Sequence, residues 1–249
     1  MRTVLLLLFL FSFSSSLLAQ FSLSGGVNMH TPLHEQKHRL KNAYGLGAAG
    51  EYHFQKLPFF AVMEGSWSVN GIKDIHQDLS GPTGYITDQT INYTSSLFLL
   101  SAGLGIEPFK ETNVSPYVTM KGGYIKYRTV MSLPDPYDPD GCRAVETENI
   151  VRDLTAVGVL GAGVRIKINQ NLAERYFLDF GANYITGGKA RYLKMKSDHQ
   201  QVDPSAEAYY VKFQNVQTGD VHEHPLGEVH HTKTRQLQFY IRFNVMFRN

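Results

Sequence analysis

Histidine is the residue type whose spacing in this 249-residue chain comes nearest to metal chemistry. Four of its ten histidines fall within one short stretch, at His222, His224, His230 and His231. Imidazoles with nearby carboxylates suit zinc, copper or nickel, and short His-rich tracts hint at metal binding. No spacing in the stretch matches a defined metal motif. Two interpretations follow: a divalent metal held at these histidines, or a polar loop that contains histidines and no cofactor.

Serine and histidine supply a second possible chemistry. Nucleophilic catalysis needs a hydroxyl and a base close together, with a third group that orients the base. Ser68, Ser95 and His30 are expected at one level of the fold, but no acid clearly accompanies the histidine. Apposed serine and histidine side chains recur by chance in any polar rim. We therefore expect a protein that is not an enzyme.

Three acids and three bases fall on the polar faces of predicted strands. They are Glu51, Glu64, Lys121, Arg165, Asp179 and Arg242. A lone buried charge is strongly unfavourable, whereas a balanced and hydrogen-bonded set is tolerated. We therefore expect these side chains to form a structural network in the interior of the fold, with a gate or ion path as the alternative.

Alternation of apolar and polar residues at period two runs through eight segments and predicts eight strands. The segments are 21–29, 44–54, 59–69, 96–106, 116–130, 154–168, 176–184 and 237–247. The last strand is the clearest, because Phe239, Ile241, Phe243, Val245 and Phe247 alternate with polar residues and a tyrosine.

Composition and the N-terminus narrow the class of protein. Charged residues are 18 % of the chain, below the roughly 25 % usual for soluble domains. A net charge of +2 without a basic cluster excludes a typical nucleic-acid binder, and one cysteine excludes a disulfide scaffold. Residues 1–19 combine a basic start, an apolar run and a small residue at Ala19, as in a cleaved signal peptide. Residues 20–249 are expected to form a single domain.

Short and long connections alternate between the predicted strands. The long ones are 30–43, 70–93, 131–153 and 187–234, and 208–213 within the last is expected to form a protruding hairpin. Such alternation is typical of outer-membrane barrels, with turns in the periplasm and loops outside. We predict an all-β, eight-stranded antiparallel up-and-down transmembrane barrel with short periplasmic turns and long extracellular loops. A soluble lipocalin-like barrel is the alternative, because alternation does not tell which face is inside.

The glycine-rich strands at 44–48, 102–105 and 158–163 and the aromatic final strand carry a family resemblance. Together with the eight-strand meander, they resemble small outer-membrane β-barrels of the OmpA transmembrane type and the wider outer membrane β-barrel protein superfamily, from Gln20 to Phe247. The resemblance implies that the final strand is the signal recognised by the barrel-assembly machinery, through Phe239, Ile241, Phe243, Val245 and Phe247. Arg248 and Asn249 depart from the pattern, because an aromatic residue usually ends such chains.

The expected function follows from the fold and is unspecific. We expect an integral outer-membrane protein of a Gram-negative-type bacterium, with a closed polar interior and a structural or interaction role through its loops. That role could be envelope integrity, adhesion, or service as an accessory to a transport or secretion complex. The expected partners are outer-membrane lipid, lipopolysaccharide, the barrel-assembly machinery and a protein bound by the loops. The alternatives are an enzyme acting on lipid or peptide at the outer leaflet, and a narrow pore.

Overall fold

The computed structural model describes residues 20–54, 57–80, 86–110, 112–134, 144–168, 174–195, 207–214 and 221–247. These residues are almost entirely antiparallel strands. They are β1 (Gln20–Pro32), β2 (Ala43–His53), β3 (Phe59–Ser80), β4 (Ile86–Ile106), β5 (Val114–Pro134), β6 (Ala144–Lys167), β7 (Glu174–Met195), β8 (Glu207–Gln214) and β9 (Val221–Phe247). Consecutive strands pair from β1 to β7, β7 pairs with β9, and β9 pairs back with β1. The predicted closed eight-stranded antiparallel barrel is confirmed.

The lower barrel presents large apolar side chains outward and polar side chains inward. On β1, Phe21, Leu23 and Val27 are 46–55 % exposed, whereas Ser22 and Ser24 are buried. The other strands repeat this pattern, with outward side chains that include Met63, Trp67, Leu104, Met120, Leu160 and Ile241. The alternative of a soluble lipocalin-like barrel requires the apolar faces inside. The structure has the reverse arrangement, which suits walls that face lipid.

Strand pairing continues far beyond the predicted ends, so three of the four predicted long loops have the wrong bounds. β3 and β4 stay paired as far as Ser80 and Ile86, where a loop was predicted over 70–93. The predicted loops at 131–153 and 187–234 are likewise occupied in large part by β5, β6, β7, β8 and β9. These arms leave the apolar belt and carry polar outward residues such as Arg152, Arg191 and Lys233, so hydropathy no longer marks a strand.

Bulges mark the passage from the belt to the arms. The register of β3 shifts between Val69 and Gly71, and that of β7 shifts within 186–189. Below the β3 bulge the even-numbered Ser68 is buried, whereas above it the odd-numbered Ile75 is buried. One extra residue exchanges the two faces of a strand. Even-numbered side chains of β3 therefore face inward below the bulge and odd-numbered ones above it, so one assignment of inner and outer faces cannot hold for the whole strand.

The arms enclose an apolar core of their own outside the belt. Its buried members are Ile75, Ile91, Tyr93, Val151, Leu193, Leu226 and Val229. β8 pairs with β9 over 221–229. It lies along the edge of β9 that pairs with β1 from Gln236 onward. The predicted hairpin at 208–213 is therefore confirmed. The outer part of the protein is a packed extension of the barrel with its own core.

The segment between β1 and β2 folds over the outer mouth of the barrel. It contains a short 3-10 helix (His34–Gln36), and the side chains of Gln36 and Leu40 are buried. Gln36 Nε2 donates to the Tyr127 hydroxyl at 3.3 Å, and Gln36 Oε1 accepts from the Arg235 backbone N–H at 3.0 Å. Among the described residues, no helix is long and apolar enough to cross a membrane.

Candidate functional site

Arg165 on β6 is the centre of the lower of two charge clusters inside the barrel. Its guanidinium donates to Glu107 Oε2 at 2.5 Å and to Glu51 Oε1 at 2.7 Å. Its Nε lies 3.9 Å from Asp179 Oδ2. Only 1 % of the arginine is exposed. Its charge is therefore matched by protein carboxylates and not by water.

Rings complete the lower cluster. The Arg165 guanidinium carbon lies 4.8 Å from the ring centre of Phe60 and 4.4 Å from that of Tyr117. His53 stacks on Phe60 with 5.1 Å between ring centres, and its Nε2 lies 2.9 Å from Glu51 Oε2. Cation–π contacts gain strength when they are desolvated, as here.

Glu64 on β3 is the centre of the upper cluster. Its Oε2 accepts from Lys121 Nζ at 2.5 Å, and its Oε1 accepts from Arg242 and from Asn183 Nδ2, the latter at 3.2 Å. Asn183 Nδ2 also donates to Gln238 Oε1 at 2.8 Å. One carboxylate thus joins cations from two strands, β5 and β9, that are not neighbours in the barrel.

Two tyrosines join the clusters. Tyr117 donates to Asp179 Oδ1 at 2.6 Å, and its oxygen lies 2.7 Å from the Tyr240 hydroxyl, which must then be the donor in that pair. The Arg242 guanidinium lies over the Tyr240 ring, 4.0 Å from its centre. The polar contacts are therefore continuous from Arg165 to Arg242.

Two glycines make room for the rings that fill this part of the lumen. A Cβ on Gly105 would overlap the Phe60 ring, and a Cβ on Gly181 would overlap the Tyr240 ring. Gly122 on β5 has nothing within 4 Å of the same position. The small residues at 105 and 181 are thus required by close approach.

All six charged residues proposed from the sequence for the interior network are buried and lie in these clusters. The sequence reasoning missed Glu107, which falls in the short connection between the predicted strands 96–106 and 116–130. The odd-numbered side chains of β4 face inward, and Glu107 follows the same pattern one residue past the end of the strand. This alternation was the signal that could have identified Glu107 as an inward residue. Alternation places Asn183 and Tyr240 on the polar faces of their strands, but it does not rank the residues of a face, so their part in the network and that of Tyr117 were not predicted.

The charges nearly balance. The clusters hold the carboxylates of Glu51, Glu64, Glu107 and Asp179 against the cations of Lys121, Arg165 and Arg242. Four negative and three positive groups sum to −1 with His53 neutral, and to zero with it protonated. Paired and hydrogen-bonded charges of this kind are tolerated in a dry interior, whereas a single unpaired one is costly. The side chains of the two clusters fill the lumen at this level.

Above the clusters most polar side chains of the interior lie on one wall. There Gln238 donates to Ser66 Oγ at 3.2 Å, and Ser68 donates to Asn28 Oδ1 at 2.5 Å. The opposite wall of β4–β7 is mostly apolar, with buried Leu97, Leu99, Ile125, Val157, Val159 and Ile185 beside the hydrogen-bonded pair of Ser95 and Thr129. The expectation of a polar interior is therefore wrong for this wall. A continuous apolar run such as 97–100 carries no information on which face is inside.

The serine and histidine residues considered for catalysis are not paired with one another. Ser68 donates to Asn28, Ser95 accepts from Thr129 Oγ1 at 3.2 Å, and His30 Nδ1 lies 3.2 Å from Gln236 Oε1. Each of these side chains is buried and serves the packing of the upper lumen.

Two of the four histidines considered for a metal can be placed. His230 turns inward, with its Nε2 3.3 Å from Glu228 Oε2, whereas His231 is exposed on the opposite face of β9. The side chains of His222 and His224 lie outside the described residues. Within the described part of the chain, no group of three or more His, Cys, Asp or Glu residues could hold a metal. Burial, and then the positive charge of Arg39, holds the pKa of His230 below its usual value.

The final strand turns its aromatic row toward the outside. Phe239, Ile241, Phe243 and Phe247 are 41–46 % exposed, Val245 is half-buried, and Tyr176 stacks on Phe243 with 5.7 Å between ring centres. The row belongs to an apolar belt that encircles the barrel. Recognition of this strand by the barrel-assembly machinery stays a prediction.

Cations lie on the outer face just above the belt. Arg128 is opposite Arg152 across β5 and β6, and Lys189 is opposite Lys233 across β7 and β9. Like charges directly opposite on one sheet face destabilise the pair unless an anion lies between them. Both pairs follow the exposed apolar residues of the belt, such as Leu154, so their charges lie at the height where lipid headgroups would be.

No family model and no curated protein matches the sequence. Among solved structures, the chain is similar to Ail, the attachment invasion locus protein of Yersinia pestis, in complex with a heparin analogue. The two sequences are 12 % identical, the match covers 92 % of this chain and 99 % of that chain, and the TM-score is 0.45. It is similar to Neisserial surface protein A, with 9 % identity, 93 % and 97 % covered, and a TM-score of 0.42. It is also similar to a major outer membrane protein from Thermus thermophilus, with 15 % identity, 93 % and 99 % covered, and a TM-score of 0.42.

Proposed function

We propose that this chain is an outer-membrane β-barrel that conducts no ions or solutes through its lumen and works as a rigid platform for interactions at the cell surface. The observation that carries the proposal is the combination of a plugged lumen with strands that continue past the apolar belt. A pore would need an open interior, and water-filled barrels usually take about 16–18 strands. A mere anchor would not need a second core around Tyr93 and Leu226 in the extended arms.

The membrane location rests on the outer surface. An apolar belt with an aromatic row faces outward, and the charged groups of the same strands face inward, which is the reverse of a soluble protein. The cations above the belt would meet the phosphates of outer-leaflet lipid, including lipopolysaccharide, at the headgroup level. We assign the chain no catalytic step, because Ser68, Ser95 and His30 are each bound to other groups.

Trp67 gives a direct test of the membrane location. It is the single tryptophan of the chain and is 51 % exposed on the belt. In vesicles, lipids brominated in the acyl chains should quench its fluorescence, while aqueous acrylamide should quench it little. Efficient acrylamide quenching without quenching by the brominated lipids would place the belt in water and refute the location.

Conductance tests the plugged lumen. The purified protein in planar bilayers should give no stable conductance steps, with a 16-stranded porin as the positive control. Reproducible steps whose conductance or ion selectivity changes in the charge-conserving variant Arg165→Lys would show an ion path through the clusters and support the gate alternative.

Orientation is tested with two insertions of the same epitope tag. A tag after Ser80 should be reached by antibody on intact cells, because this end lies with the extended arms. A tag after Phe54, at a short turn, should be reached only after the outer membrane is permeabilised. The opposite result would place the arms in the periplasm and remove the surface role.

A further inference from the structure

An apolar groove of about 570 Å³ lies on the outer wall of the barrel, where β7, β9, β1 and β2 are neighbours. Gly45 and Gly181 line it and expose only backbone. Ile241 is opposite Val27 and Phe180 in one row of the sheet. Met29 is opposite Phe239 and Tyr44 in the next row. The side chains that line the groove belong to these two rows: Val27, Met29, Tyr44, Phe180, Phe239 and Ile241.

A second cavity, of about 440 Å³, lies on the same strands outside the belt. Three cations line it, Lys189 on β7 and Lys233 and Arg235 on β9, together with one carboxylate, Glu35 of the 3-10 helix. Within the described part of the chain, no acid forms an ion pair with any of these cations. Lys189 is directly opposite Lys233 in the ladder, and like charges in this arrangement repel. The lining therefore carries two excess positive charges, which an anionic group would offset.

The segment that forms one wall of this cavity is fixed against β9. The Leu33 N–H donates to the Arg235 carbonyl oxygen at 2.9 Å, and the Arg235 N–H donates to Gln36 Oε1 at 3.0 Å. Gln36 is buried and donates in turn to the Tyr127 hydroxyl at 3.3 Å. The Arg235 guanidinium therefore extends from a backbone that is anchored by both of its polar groups.

The groove and the cavity follow one another along β9. Phe239 lies in the groove and Arg235 in the cavity, and the four residues between these positions span about 13 Å of strand. One row of the sheet separates them, in which Leu237 is opposite Tyr184 and Thr31. Cations at the outer end and apolar walls below match the two ends of a single amphipathic anion. A membrane would orient a lipid in the same way, with its phosphate outward and its chains in the belt.

We propose that this face of the barrel binds one anionic lipid, with its phosphate in the cavity at Lys189, Lys233 and Arg235 and an acyl chain in the groove. The phosphate oxygens accept charge-assisted hydrogen bonds from the cations, and the chain covers the side chains of the two apolar rows. The proposal rests on the proposed function, because it names the lipid that a barrel in this membrane would hold.

The test uses the single-tryptophan variant Tyr44→Trp/Trp67→Phe, which places the fluorophore on the groove. The protein is reconstituted in phosphatidylcholine vesicles that contain phosphatidic acid or phosphatidylcholine brominated in the acyl chains. Each cation near a membrane surface favours an anionic lipid roughly fivefold, and two charges remain after that of Glu35 is offset. Brominated phosphatidic acid should therefore reach half-maximal quenching at a mole fraction about tenfold lower, or less, than brominated phosphatidylcholine.

Charge variants in the same background locate the site. Lys233→Gln/Arg235→Gln leaves Lys189 against Glu35, so the preference for phosphatidic acid should fall to about onefold. The matched control Arg128→Gln/Arg152→Gln removes two outward cations from β5 and β6 and should keep the full preference. Equal losses in the two variants would show a diffuse attraction to the whole surface and overturn the site, and so would equal quenching by the two lipids before any charge is removed.

Val27→Phe tests the groove without a change in charge. Val27 is 55 % exposed and lines the groove, so a larger ring there should displace the chain and lower the preference for brominated phosphatidic acid. An unchanged preference would contradict an acyl chain in the groove. Inorganic phosphate should not compete beyond the effect of chloride at the same ionic strength, and full competition would assign the cavity to free phosphate and overturn the lipid site.

Two controls separate the failure of this site from other failures. Heat-dependent gel mobility shows that each variant is a folded barrel before its quenching is compared. Quenching by brominated phosphatidylcholine shows that the belt is in lipid, so the absence of a preference then overturns the lipid site alone. The absence of quenching by either lipid would refute the membrane location and the site together.

Discussion

Removal of the Arg165 guanidinium is the perturbation whose cost the structure defines best. Arg165→Met keeps most of the side-chain volume and removes the charge from between Glu51 and Glu107, which accept from it at 2.7 and 2.5 Å. Loss of one partner from a buried ion pair costs about 3–5 kcal/mol, because the other charge is left buried and unpaired. Two ring contacts are lost as well, each of about 0.5–2 kcal/mol. We expect the free energy of unfolding to fall by about 4–9 kcal/mol.

The assay is reversible urea unfolding in lipid vesicles, followed by the fluorescence of Trp67. The control is the triple variant Arg165→Met/Glu51→Gln/Glu107→Gln, which removes the stranded charges together with their cation. The triple variant leaves the carboxylates of Glu64 and Asp179 against the cations of Lys121 and Arg242, so the remaining buried charges balance and the variant should regain at least half of the lost stability. A cost below about 1 kcal/mol for the single variant, or a triple variant as unstable as the single one, would refute the view of Arg165 as the centre of a dry network.

Four further outcomes follow from the clusters and the arms. Arg242→Ala should lower the melting temperature much more than Arg242→Lys, because lysine retains a charge near Glu64; equal and negligible shifts by circular dichroism would contradict this. Gly181→Ala should destabilise the barrel through the Tyr240 ring, whereas Gly122→Ala, with open space at its Cβ, should not, as measured by the same melts. Leu226→Ala should cost about 2–5 kcal/mol in the core of the arms, seen as faster proteolysis outside the membrane with an unchanged heat-dependent gel mobility. The lowered pKa of His230 means that the unfolded arms bind a proton which the folded arms resist, so arm stability should fall as pH drops below about 6.5; His230→Gln should remove this dependence in hydrogen exchange.

Period-two alternation was sufficient to predict the barrel and the burial of its charges. An apolar residue at every second position from 239 to 247, with Arg242 and Asn244 between them, permits one sheet face in lipid and one in a polar interior. The short turns then impose neighbouring antiparallel strands. These are local signals, so they can be read without knowledge of distant contacts.

The candidate site was predictable only in part. The six network charges share the parity of their strands, but their partners come from elsewhere in the chain. Glu51 and Arg165 are 114 positions apart, and only closure of the barrel brings them together.

The sequence by itself determined the number of barrel strands, the residues that share a face in each alternating strand and the charges that lie on the polar faces, because these depend on residue type at a fixed spacing. The tertiary structure alone decided how far the strands extend, where bulges exchange their faces, which wall of the lumen is apolar and which charges are paired. The physical reason is that backbone hydrogen bonding continues wherever two arms have a partner, whatever their hydropathy. Pairing of charges likewise depends on distances across the barrel that strand register sets.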